Sequence, residues 1–84
     1  MEKEEVLEQE AEHFLDTISK NIERIREVKG MTKLDVSSEL GFMYPDHYSR
    51  MELRAKGKHF NLKHIYKLSK ILDVSISELI GSEN

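Results

Sequence analysis

The stretch from Thr32 to Met51 constrains this chain more than any other. Val36 and Leu40 lie one helical turn apart, and Gly41 follows at once. Beyond it, Pro45 opens a second pattern in which Tyr48 and Met51 share a helical face. Apolar residues three and four apart mark helix faces that turn inward. Glycine tolerates the positive φ that a tight helix exit requires. Proline suits a first helical position, because its missing N–H has no partner there anyway. The segment therefore reads as two short helices joined by a sharp turn. Ser37 is the small residue where they approach, and Phe42 plugs the turn into the core.

The rest of the chain is helical by the same criteria. Leu7, Ala11, Phe14, Ile18, Ile22 and Ile25 form one stripe, which predicts an unbroken helix over about residues 4–29 stopped at Gly30. Thr32 with Asp35 resembles a capping box, and Ser75 with Glu78 forms a second. Asn61 is a favourable N-cap. It precedes an apolar face of Leu62, Ile65, Leu68, Ile71 and Leu72. A short last helix carries Ile76, Leu79 and Ile80 before Gly81. The expected fold is all-α, with five helices on one core. Residues 1–17 form an acidic extension continuous with the first helix, and residues 18–84 form the domain proper.

Charge is unevenly spread. The 84 residues carry a formal net charge of −3. Residues 1–17 hold seven acids against the single base Lys3, whereas residues 50–70 hold seven bases against Glu52 alone. Such a distribution fits a polyanion-binding face with a separate acidic arm. There is no cysteine, which excludes disulfides and thiolate metal sites. No window approaches the roughly 18 consecutive apolar residues of a membrane span. The acidic N-terminus does not read as a secretory signal, so the expected location is cytoplasmic.

The segment from Gly30 to Phe42 reads Gly-Met-Thr-Lys-Leu-Asp-Val-Ser-Ser-Glu-Leu-Gly-Phe. It is flanked by Asn21-Ile22 with Ile25-Arg26, by Tyr48-Ser49-Arg50-Met51-Glu52, and by the pattern from Ile65 to Leu79. These marks resemble the family of phage Cro and lambda-type repressors, often called Xre-like. The resemblance covers about Ile18 to Ile80. It implies a lambda-repressor-like helix-turn-helix domain, with the motif at about residues 32–54 and an extended acidic first helix. It also implies a sequence-specific duplex DNA-binding regulator of transcription, a repressor acting as a homodimer on a palindromic operator. Val36, Ser37, Leu40, Gly41, Phe42, Tyr48, Met51 and Glu52 would hold the motif together. Glu52 would tie the recognition helix to Arg26 of the first helix. The chain departs from the family pattern in three places. Lys33 stands where glutamine is usual, the Gly41–Glu52 spacing is one residue longer and includes Pro45, and the loop after Glu52 is about two residues longer and strongly basic.

Phosphate contacts would supply most of the affinity through counterion release. The candidates are Lys33, Arg54, Lys56 and Lys58. Base reading would fall to the exposed face of Tyr44, Asp46, His47 and Arg50. Arg50 could grip guanine, Asp46 could accept from cytosine or stabilise the helix N-terminus, and Tyr44 could touch a thymine methyl or a phosphate. Ile76, Leu79 and Ile80 are candidates for a dimer face, with Leu7, Ala11 and Phe14 as a second seam. The acidic arm repels DNA and is expected to point away from it.

No catalytic residues, metal ligands or cofactors are expected. His13, His47, His59 and His64 lack cysteine partners, and His59 and His64 lie five apart, missing the four-residue ligand step. Asp46, His47 and Ser49 lie too close on one helix to form a nucleophile, base and orienter. The alternative is an antitoxin or protein-binding module on the same fold, meeting a protein partner through the acidic first helix.

Overall fold

The computed structural model describes residues 2–81. Met1 and residues 82–84, the ends of the expected 1–17 and 18–84 division, lie outside the described residues. The element order is α1 (Lys3–Val28), α2 (Lys33–Leu40), α3 (Pro45–Leu53), a 3₁₀ turn (Ala55–Gly57), α4 (Leu62–Ile71) and α5 (Ile76–Ile80). Among the described residues there is no strand, and no helix is long and apolar enough to cross a membrane. At about 1.5 Å per residue, α1 is nearly as long as the longest molecular dimension of 42 Å.

Local hydrogen bonds explain why the helices start where they do. Thr32 Oγ1 accepts from the Asp35 amide at 3.0 Å, and the Asp35 carboxylate accepts from the Thr32 amide at 2.9 Å. The shorter Asp thus completes the capping box, and hydrogen bonding of its carboxyl to the Thr32 amide, then to the Thr32 side chain, holds it below the ordinary value. Ser75 and Glu78 cap α5 in the same way. At α4 the partner is unexpected. Asn61 Oδ1 accepts from the His64 amide at 2.8 Å, and the Asn61 amide donates to His64 Nδ1 at 3.2 Å.

Three of the helix ends share one device. At α2 the Phe42 amide reaches back to the Ser37 carbonyl and the Gly41 amide to Ser38, with Gly41 left-handed at φ 91°. This double bond pattern satisfies carbonyls the helix leaves open. The pattern recurs at α1 around Gly30 and at α4 around Asp73, where a non-glycine residue takes the left-handed position at φ 55°.

One core joins all five helices. It comprises Ile18, Ile22 and Ile25 of α1, Val36 and Leu40 of α2, Tyr48 and Met51 of α3, Ile65 and Leu68 of α4, and Leu79 of α5, together with Leu72 and Phe60. Phe42 is half-buried against it. Three sequence expectations need correction. The α1 stripe is inward only from Ile18 onward; Leu7 is 60% exposed because the core begins farther along α1, and Phe14 is 48% exposed because it lines an open groove. Leu62 stands outside the core at 88% exposure, whereas Phe60, in the preceding loop, is buried in it. Leu79 is fully buried and cannot belong to a dimer face; only Ile76 and Ile80 of that trio reach the surface.

Buried polar groups lock these contacts. Asn21 Nδ2 donates to the carbonyls of Leu79 and Gly81 at 2.9 and 2.8 Å, which pins α5 to α1. Ser19 Oγ donates to the Met51 carbonyl at 2.9 Å, which pins the end of α3 to the same helix. Among the described residues, no buried side-chain polar atom lacks a partner.

His64 carries a pH consequence. Burial, then the positive neighbours His47, Lys67, His59 and Lys63, lower its pKa from 6.5. Below that value the unfolded chain takes up a proton that the folded chain resists, so stability falls with pH through this window. Thermal melts at about pH 7.5 and about pH 5.5 should show a drop in Tm for the native chain. The drop should be smaller for His64→Gln, which keeps a capping acceptor without the titration.

Candidate nucleic-acid interface

The orientation of α3 rests on a buried network. Arg26 of α1 donates from Nε and Nη2 to both carboxylate oxygens of Glu52, at 2.9 and 3.0 Å. Its Nη1 donates to the Met31 carbonyl at 2.9 Å, at the exit of α1. The Tyr48 hydroxyl donates to Glu52 Oε2. Glu52 is 5% and Arg26 7% exposed. The hydrogen bonds to Glu52 raise the Arg26 pKa against the opposing effect of burial. Burial first, and then Glu52, push the Tyr48 hydroxyl well above its ordinary range, so it stays a donor. A two-pronged ion pair fixes direction as well as distance. With Tyr48, Met51 and Glu52 held inward, the opposite face of α3 is left to solvent.

That face carries Asp46, His47 and Arg50, all exposed. Asp46 lies in the first turn of α3, where a carboxylate favours the helix dipole. His47 sets its ring edge-on to Phe42, with centroids 4.8 Å apart, so one side of the imidazole is occupied. Tyr44, at the N-cap, is 68% exposed; its carbonyl accepts from Ser37 Oγ at 3.2 Å, which draws the connection against α2. Met43, 84% exposed beside it, was not anticipated, since an isolated apolar residue in a turn carries no periodic signal.

Lys33 is half-buried, and its Nζ donates to Ser49 Oγ at 3.3 Å. It thereby bridges the start of α2 to the middle of α3, a contact across sixteen residues that sequence spacing does not reveal. On the other flank, Arg50, Ala55, Lys56 and Lys58 line a hollow of about 260 Å³. Three basic residues thus border one hollow where α3 passes into the following loop.

Arg54 requires a correction. Expected to meet phosphate, it is instead committed within the protein. Its Nε donates to Asp16 at 2.9 Å and its Nη2 to Glu12, while its Nη1 donates to the carbonyls of Gly57 and Lys58 at 3.0 and 2.9 Å. Burial lowers its pKa, but the bonds to Asp16 and Glu12 outweigh that and leave it raised. The acidic extension, expected to point away from a polyanion, is joined to the basic loop at these two residues. A charged pair separated by tens of residues leaves no trace in local patterning.

A second surface is apolar. Phe14, Ile18, Leu62, Ile65, Ile76 and Ile80 are among the residues lining an apolar groove of about 370 Å³ between α1, α4 and α5. Among the described residues, no group of three or more His, Asp or Glu side chains converges to hold a metal ion. Comparison with family models, with curated proteins and with solved structures gave no significant match to this chain.

Removing one partner of a buried ion pair strands the other. Arg26→Ala should therefore lower the unfolding free energy by about 3–5 kcal/mol, measured by urea denaturation. Lys29→Ala, an exposed change one turn away, should stay within about 0.5 kcal/mol.

Proposed function

We propose that this chain is a sequence-specific duplex DNA-binding regulator of transcription built on a lambda-repressor-like helix-turn-helix, and not an enzyme. In this reading α2 and α3 are the two helices of the motif, and α3 enters the major groove. The observation that carries it is the fixed azimuth of α3. Its inward residues are locked by Arg26 and the core, and its outward residues Asp46, His47 and Arg50 are flanked by Lys33, Lys56 and Lys58. Arg50 is the residue best suited to grip guanine, being exposed on that face. Lys56 and Lys58 meet phosphate as exposed point charges, and Lys33 does so from its bond to Ser49. The chain acts in the cytoplasm, as a homodimer on a palindromic operator and most simply as a repressor. The dimer face is the apolar groove with Ile76 and Ile80.

A second reading also has an observation in its favour. The first turns of α1 combine acidic residues with exposed Val6, Leu7 and Phe14, a surface suited to a protein partner. An antitoxin or protein-binding module would use that helix.

Selection from a random duplex pool, followed by anisotropy titration at two salt concentrations, separates the two. A palindrome with half-sites about one helical turn apart, and affinity falling steeply with salt, supports the regulator. Weak, motif-free binding that vanishes near physiological salt transfers the function to the acidic helix. Within the first reading, Arg50→Ala should cost about 1–3 kcal/mol and relax preference at one base pair, whereas Lys56→Ala should weaken all duplexes alike. A repeat selection with each variant reads the difference.

A further inference from the structure

The loop after α3 adopts a disfavoured backbone. Arg54 and Lys56 are left-handed at φ 57° and 53°, followed by Gly57 at 77°. Non-glycine residues hold this conformation only where their surroundings over-determine it. The determinant here is the Arg54 guanidinium, whose side chain is only 11% exposed. One edge holds the carbonyls of Gly57 and Lys58, and the other holds Asp16 and Glu12. Glu12 and Asp16 lie four apart on one face of α1, before its first buried apolar residue, Ile18. The acidic extension thus ends as a bracket on the basic loop.

We infer that Glu12 and Asp16 are positioning residues for anion binding: through Arg54 they set Lys56 and Lys58 around the hollow shared with Arg50. The inference rests on the DNA-binding reading and specifies what the acidic extension does for it. It also reverses the sign that simple electrostatics gives. Two carboxylates near a basic loop weaken its attraction for a polyanion, and they occupy a guanidinium that could itself meet phosphate. By charge alone, neutralising them strengthens binding. As positioning groups, their loss frees Arg54, lets the left-handed turn relax, and scatters Lys56 and Lys58.

The test uses the full chain and the duplex recovered by selection. The variants are Glu12→Gln/Asp16→Asn, the milder Asp16→Asn alone, the exchange Glu12→Asp/Asp16→Glu, and a charge control, Glu5→Gln/Glu8→Gln. Kd is measured against salt, and backbone ¹⁵N heteronuclear NOEs of residues 54–58 are recorded without DNA. The double neutralisation is expected to weaken binding roughly tenfold near 0.15 M salt and to flatten the salt slope by about one to two, the loss of one or two phosphate contacts. Its loop NOEs should fall while those of α3 hold. Asp16→Asn should follow in the same direction. The exchange should restore both readouts, and the charge control should bind as tightly as the native chain or more tightly, with an unchanged slope. Equal or tighter binding by the double neutralisation, or unchanged loop NOEs, overturns the inference while leaving the DNA-binding reading intact. A native chain that binds no duplex overturns both.

Discussion

The Arg26–Glu52 pair is the interaction on which the rest of this structure depends. It joins the longest helix to the one whose free face carries the candidate site, and both partners are almost wholly removed from water. Charges in that position are tolerable only when every lone pair and proton has a partner. Tyr48 supplies one such bond to Glu52, and the Met31 carbonyl takes the remaining guanidinium edge. The network is directional where apolar packing is not. Met51 and Tyr48 alone would bury α3 over a range of rotations; the fork-to-carboxylate geometry selects one. The exposure of Asp46, His47 and Arg50 follows from that selection.

Short helices add a second constraint. Helices of eight to ten residues gain little from cooperativity. Here α2, α4 and α5 begin with reciprocal capping boxes, and α1, α2 and α4 end with the paired amide-to-carbonyl bonds of a left-handed exit. These bonds define where each helix stops and so how long the connections are. The four residues 41–44 are held to α2 by the Phe42 amide at one end and by Ser37 Oγ at the other. That connection sets the relative placement of α2 and α3, and with it the Lys33–Ser49 bridge.

The charge distribution gains a different meaning in three dimensions. An acidic arm and a basic loop, read separately, suggest two surfaces with opposite partners. Folding brings the end of the first against the base of the second, and Arg54 changes from an available cation to an internal tie. Among the described residues, Arg50, Lys56 and Lys58 stay exposed on that side. The overall charge of −3 therefore says little about the field near α3, which is set by those few side chains.

Much of the fold was legible because it is local. The starts at Thr32, Asn61 and Ser75, the stops at Gly30 and Gly41, Pro45 at the head of α3, and the inward turn of Val36, Leu40, Tyr48 and Met51 all depend on residues within about six positions of one another. Hydrogen-bond chemistry and helical spacing fix such features in the sequence itself. The fate of each apolar stripe is a different matter. Leu7 and Phe14 continue the pattern of Ile18 and Ile22, yet stay exposed because the core begins at Ile18 and Phe14 only lines an open groove. Leu79 and Ile76 share a helix, but only Leu79 meets the core. Phe60 has no periodic neighbours and is buried all the same. Arg54 lies 38 and 42 residues from its carboxylate partners. Spacing can say that a residue has an inward face, but only packing decides whether anything is there to meet it, because burial and ion pairing depend on elements that the chain brings together across long separations.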